Sequence, residues 1–180
     1  AEVIRPHVNA GMDHLYRAVF DDVFAHGVTL PEIRAAYEVR YMSHIADATR
    51  LYPGIADALV ELSRMGRLAC VTNKPEHLSV ALLATLSVGL LFAAVIGGDT
   101  CVVAKPSPVM LGAARRRVAR TGGAVMIGDS PADVRCGRSF GAATIWCAWG
   151  YAAEPGELAP DRVAREPAAL PALVRELVGA

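Results

Sequence analysis

Four short apolar runs constrain this 180-residue chain more than anything else in it: Leu68–Val71, Ala93–Ile96, Ala124–Ile127 and Ala143–Trp149. They carry almost no polar side chains, and a stretch of helical character separates each from the next. A strand that is apolar on both sides must be covered on both sides. Strands of that kind joined by helices form a parallel sheet between two helical layers. The fold class expected is therefore α/β, a Rossmann-like parallel sheet with helices on both faces. Arg162-Val163-Ala164 is a candidate fifth strand, and Leu170–Val178 a closing helix.

The helices between the runs announce themselves by their ends. Ile55–Met65 is amphipathic and stops at Gly66. A second helix is expected from about Pro75 to Ser87, and a third from Ser107-Pro108 to about Arg120. A fourth runs from Pro131 to Phe140 and ends at Gly141. Proline is tolerated in a first helical turn, and glycine suits the residue just past a last one. Residues 1–50 read differently, as helices only. Val8, Met12, Leu15, Tyr16, Val19 and Phe20 recur at helical spacing. After a break at Gly27, Thr29 stands as an N-cap before Pro31 and Glu32, and Ile33, Tyr37, Tyr41 and Ile45 carry a second stripe. Two units follow, an N-terminal helical region of residues 1–50 and an α/β core of residues 51–180. The Ala/Glu/Pro-rich run 152–168 is a surface connection.

Parallel α/β sheets bind ligands at the carboxyl ends of their strands, and three of these ends carry chemistry. Gly128-Asp129-Ser130-Pro131-Ala132-Asp133 follows the third run directly, with two carboxylates one helical turn apart. A lone carboxylate at the end of a buried strand is costly to desolvate, and a bound cation removes that cost. Magnesium suits this setting because it takes oxygen ligands and uses only one or two protein carboxylates, with substrate phosphate and water completing its shell. The competing reading is a turn residue at Asp129 and a first-turn helix charge at Asp133. Val71-Thr72-Asn73-Lys74-Pro75 puts a hydroxyl and an amide before a helix N-terminus, where an anion is favoured, or where either residue simply caps the helix. Lys105, stiffened by Pro106 and Pro108, is a compact positive charge suited to phosphate, or a loop lysine in solvent. Asp99 also ends a strand.

Composition excludes several alternatives. Eighteen Lys and Arg balance eighteen Asp and Glu, so no charge bias favours nucleic acid or an anionic membrane. The cluster Arg115-Arg116-Arg117 with Arg120 reads as a solvated helix face. Cys70, Cys101, Cys136 and Cys147 include no C-x-x-C pair, and Cys70 and Cys147 sit within apolar runs. Buried reduced thiols are expected rather than zinc ligands or disulfides. No apolar stretch reaches membrane-spanning length, and no signal-peptide pattern is present. The expected location is cytoplasmic.

Taken in order, the three motifs resemble those of the haloacid dehalogenase superfamily. Val71-Thr72-Asn73 is similar to its second motif, Lys105-Pro106 to its third, and Gly128-Asp129-Ser130-Pro131-Ala132-Asp133 to its fourth. Tyr52-Pro53-Gly54, Thr72-Asn73-Lys74-Pro75 and Ile96-Gly97-Gly98-Asp99 resemble the phosphoglycolate phosphatase branch, and residues 1–50 resemble part of its helical cap. The resemblance implies magnesium-dependent hydrolysis of a small phosphorylated metabolite through an aspartyl-phosphate. Thr72 and Asn73 would bind phosphate, Asn73 through its backbone. Lys105 would be a catalytic residue that holds phosphate and nucleophile together. Asp129 would ligate Mg2+, and Asp133 would support the metal or its waters. A monomer or homodimer is expected.

One element is missing. The family's first motif, D-x-D-G-T after an apolar strand, has no counterpart, because no D-x-D occurs in the 180 residues. Asp21-Asp22 is adjacent and helical, and Asp13 is helical too. In the family that strand lies mid-sheet, between the strands ending at Thr72 and Asp129. The expectation is a fragment of a longer enzyme, inactive alone. A shortened product and a non-catalytic phosphate- and metal-binding relative remain open, as does a sugar-phosphate phosphatase or mutase.

Overall fold

A computed structural model describes residues 12–119 and 121–179. Val8 and Arg120, used above, lie outside the described residues. The first 50 residues contain only helices among those described: α1 (Met12–Val19), α2 (Asp21–Ala25) and α3 (Leu30–Ser43). α3 starts where Thr29 places it. The Thr29 backbone N–H and hydroxyl both donate to Glu32 Oε2, at 2.8 and 2.7 Å. Glu32 thus closes the helix start by hydrogen bonding as well as by charge. Tyr16 of α1 is buried against Tyr37 of α3, edge to face at 5.3 Å, and Tyr37 stacks on Tyr41 at 5.7 Å.

The alternating region follows as α4 (Ile55–Met65), β1 (Leu68–Val71), α5 (Glu76–Thr85), β2 (Phe92–Ile96), α6 (Val109–Val118), β3 (Val125–Gly128), α7 (Pro131–Phe140), β4 (Ala143–Cys147), β5 (Arg162–Ala164) and α8 (Leu170–Val178). Short 3-10 turns at Gly89–Leu91 and Pro167–Ala169 had no sequence signal. β4 stops at Cys147, short of the expected Trp149, because the chain turns there and Gly150 N–H donates to Cys147 O at 3.2 Å.

All strand pairings are parallel, but the strands form two sheets rather than one. β1 pairs with β2, and β3–β4–β5 form the other. The break falls between β1 and β3, where the absent strand was expected. The two sheets nevertheless share a core. Leu68 of β1 packs in the same cluster as Val125, Ile127 and Ile145 of the second sheet, covered by Leu62 of α4 and by Leu170 and Val174 of α8. On the first sheet, Ala69 and Val71 pack with Ile96 against Met110, Ala113 and Ala114 of α6. Side-chain alternation assigns the faces. Ile127 and Ile145 point to α4 and α8, whereas Met126 and Thr144 face α7. There Gly137 allows close approach, since a Cβ on it would lie 2.6 Å from Thr144 Cγ2.

Of the two cysteines placed in apolar runs, Cys147 is buried as expected, whereas Cys70 is half-buried; Cys136 is buried as well, Cys101 is half-buried, and all four are free. Burial pushes the Cys136 thiol up to about 11 and the Cys147 thiol up to about 12. Both stay protonated near neutrality, and only the thiolate is a competent nucleophile. Iodoacetamide at pH 7.5 should therefore leave Cys136 and Cys147 unmodified in the folded chain and label them in urea. Peptide mass mapping reads the result, and prompt native labelling of either would contradict this burial. No helix among the described residues is long and apolar enough to cross a membrane.

Candidate functional site

Three loops leave the carboxyl ends of β1, β2 and β3 and meet at one lysine. β1 pairing continues one residue past the strand, with Thr72 N–H donating to Ile96 O at 3.0 Å. The chain then turns, and Lys74 N–H donates to Thr72 Oγ1 at 3.2 Å. That hydroxyl accepts one bond and keeps its own proton for a ligand. Neither Thr72 nor Asn73 caps α5. The cap comes from Asp99, whose Oδ1 accepts from Glu76 N at 2.7 Å. Asp99 is thereby committed to holding two loops together.

Asn73 uses its side chain on Lys105. Its Nδ2 donates to Lys105 O at 3.2 Å, and its Oδ1 accepts from Lys105 N at 3.0 Å. What Asn73 can offer an anion is its backbone N–H. The Lys105 side chain is 12% exposed, and its Nζ donates to Val71 O and to Asp133 Oδ1, both at 2.7 Å. Lys105 therefore spans the break between the sheets, from the free edge of β1 to the first turn of α7. It is not a solvent lysine.

Asp133 is almost fully buried, and its other oxygen is equally occupied. Oδ2 accepts from Ser130 Oγ at 2.7 Å, Ser130 N at 3.0 Å and Asp129 N at 3.2 Å. Asp133 thus shapes the loop after β3 and fixes Lys105, with little capacity left for a direct metal bond. Gly128 is needed beneath it, since a Cβ there would fall 2.4 Å from the Asp133 carboxyl carbon.

Asp129 is different. Its Oδ2 accepts from Tyr151 N–H at 2.7 Å, and its Oδ1 has no protein donor among the described residues. A half-buried carboxylate at a strand end with one free oxygen fits a magnesium ligand. No cluster of three or more His, Cys, Asp or Glu suited to a metal occurs among the described residues. The ion's remaining ligands would be water, substrate and groups beyond this set, which accords with magnesium's preference.

Sequence reasoning missed Gly150 and Tyr151, which seat Asp129. A Cβ on Gly150 would lie 2.1 Å from Asp129 Cβ and 2.4 Å from its Oδ2. Nothing in the isolated string Trp149-Gly150-Tyr151 signals this, because the contact crosses from the β4 loop to the β3 loop. Gly150→Ala should lower stability by about 1–3 kcal/mol through this overlap, read from the urea midpoint. An unchanged midpoint would show that Asp129 can swing clear.

The arginine cluster is a helix surface with local partners. Arg115 lies 4.9 Å over the Phe140 ring, and Arg117 pairs with Glu76 at 2.7 Å.

Comparison with known proteins identifies the family. A family model described as haloacid dehalogenase-like hydrolase matches residues 7–141. A phosphoglycolate phosphatase of Chromobacterium violaceum is 35% identical over 162 residues, covering 84% of this chain and 70% of that protein. A phosphoglycolate phosphatase of Agrobacterium fabrum is 38% identical over 158 residues, covering 83% and 68%. Among solved structures, a predicted phosphoglycolate phosphatase from Haemophilus somnus superimposes with TM-score 0.82 at 22% identity, over 95% of this chain and 80% of that one. CbbY from Rhodobacter sphaeroides, in complex with phosphate, gives TM-score 0.69 at 26% identity, over 79% and 66%.

Proposed function

The chain belongs to the haloacid dehalogenase-like hydrolases, and from that premise we propose that it supplies the phosphate- and metal-holding face of a magnesium-dependent phosphatase for a small phosphorylated acid of the phosphoglycolate kind. The observation that carries this reading is the convergence on Lys105, where the Thr72–Asn73 loop, the Lys105 segment and the Asp129–Asp133 loop are hydrogen-bonded together at the strand ends. The named activity of relatives such as those of Chromobacterium violaceum and Agrobacterium fabrum supports the substrate class.

In this reading Thr72 donates its hydroxyl proton to a phosphoryl oxygen, and the Asn73 backbone N–H adds a second donor. Lys105 keeps its place through Asn73 and Asp133 and sets a positive charge against the transferring group, where such charge stabilises the transition state most. Asp129 would hold Mg2+, which when bound neutralises phosphoryl charge. Asp133 keeps the Asp129 loop and Lys105 in register. The attacking carboxylate and the acid/base carboxylate of an aspartyl-phosphate route are not among these 180 residues. Residues 1–50 would act as part of a helical cap over residues 51–180, and the working location would be cytoplasmic.

The test is release of inorganic phosphate from phosphoglycolate by this chain joined to a strand that carries D-x-D-G-T. Asp129→Asn should abolish the magnesium-dependent rate. The absence of D-x-D also favours a second reading, a phosphate-binding relative without turnover, and the same assay separates the two.

A further inference from the structure

Of the eighteen lysines and arginines in the chain only two are lysines, and both lie in the loops just described. Lys105 is neutralised by Asp133. Lys74 is not neutralised. Its ammonium sits 4.0 Å over the ring of Tyr41, from α3, and has no carboxylate partner among the described residues. The nearby acids are already engaged: Glu38 with His77 at 3.2 Å, Glu76 with Arg117, and Asp99 with the start of α5. A ring face attracts an ammonium electrostatically and restrains it, yet leaves its N–H donors unused.

From this we infer that Lys74, held by Tyr41, is a specificity-determining residue that takes a second anionic group, a carboxylate, of a substrate whose phosphate lies at Thr72 and Lys105. The inference rests on the phosphate-site reading above. Its geometric basis is that Lys74 is anchored at its backbone to both sides of the site. Its N–H reaches Thr72 Oγ1 at 3.2 Å, and its carbonyl accepts from Gly98 N at 2.9 Å. The side chain leads from this fixed base to α3, so one residue joins the proposed phosphate donor to the N-terminal helices. A compact ammonium with three free donors suits a carboxylate. Glu38, one turn before Tyr41 on α3, pairs with His77 at 3.2 Å, which keeps this neighbouring acid from competing for Lys74.

The experiment titrates the 180-residue chain, with magnesium present, against phosphoglycolate and against ethyl phosphate, which has the same phosphate ester but a methyl in place of the carboxylate. Calorimetry or phosphorus NMR reads the two dissociation constants. Phosphoglycolate should bind about tenfold more tightly, the size of one charge-assisted contact. Lys74→Met should bring the ratio close to one, and Lys74→Arg should keep most of it by leaving a charge on the ring. Tyr41→Leu, which retains Lys74 but frees it, should lower the ratio about threefold and covers the case in which Lys74→Met fails to fold. Equal affinity of the native chain for both esters would overturn this inference alone. Binding of neither ester would overturn the phosphate-site reading, and this inference with it.

Discussion

Asp133→Ala should lower the folding stability of the 180-residue chain by about 3–5 kcal/mol, the usual consequence of removing one partner from a buried ion pair. Both side chains are largely out of water, Lys105 at 12% and Asp133 at 6% exposure. The substitution strands an ammonium beside Val71 O and leaves the N–H groups of Asp129 and Ser130 without their acceptor. The upper part of that range is expected because of where this pair lies. β1 and β3 share no backbone hydrogen bonds, so Lys105 is a polar tie across the break between the sheets. Against a domain stability of about 5–15 kcal/mol, this is roughly a third or more of the total at mid-range, and the urea midpoint should fall accordingly. Urea titration followed by circular dichroism measures the difference, and a loss under about 1 kcal/mol would mean the sheets are held by apolar contacts alone. Lys105→Met in the same background should recover part of the loss, since it removes the stranded charge.

Most of the fold was legible before any coordinates. The runs Leu68–Val71 and Arg162–Ala164 are strands with the expected ends, and Ile55–Met65, Pro131–Phe140 and Leu170–Val178 are helices with the expected ends. These segments carry their own punctuation: Gly66, Gly141, or Ser130 with its side chain accepting from Asp133 N. Legibility failed where a residue's partner is distant in sequence. Thr72, Asn73, Lys105, Asp129 and Asp133 were picked out from local context, and the structure brings them to one end of the sheets. Their division of labour was hidden. The Asn73 side chain binds Lys105, Asp133 closes on protein donors, and Asp99 caps α5 across 23 residues of sequence. One sheet was expected, and only the place of its break, between β1 and β3, follows from an expected strand that has no sequence to form it. No periodicity in Leu68–Val71 or Val125–Gly128 distinguishes an edge strand from an inner one.

The largest effect expected concerns that split. Joined to an upstream apolar strand ending in D-x-D-G-T, the chain should hydrolyse phosphoglycolate at least about 10³-fold faster than it does alone, because removal of a nucleophile costs a hydrolase that much or more. Two physical changes act together. A strand set between β1 and β3 would pair both free edges, each left otherwise with backbone groups that cost about 1–3 kcal/mol apiece when buried unpaired. The same strand would end beside Lys105 Nζ and Asp129 Oδ1, placing a carboxylate where the ammonium can bridge it to phosphate. Asp129→Asn in the joined protein should return the rate to near the level of the chain alone, since the amide is a poor magnesium ligand and the lost charge cannot be recovered from Asp133, whose oxygens are already engaged. Phosphate release with and without magnesium reads all three proteins. Turnover by the unjoined chain at the joined rate would show that these residues hold a nucleophile not recognised in them. Unchanged turnover in Asp129→Asn would move the metal elsewhere.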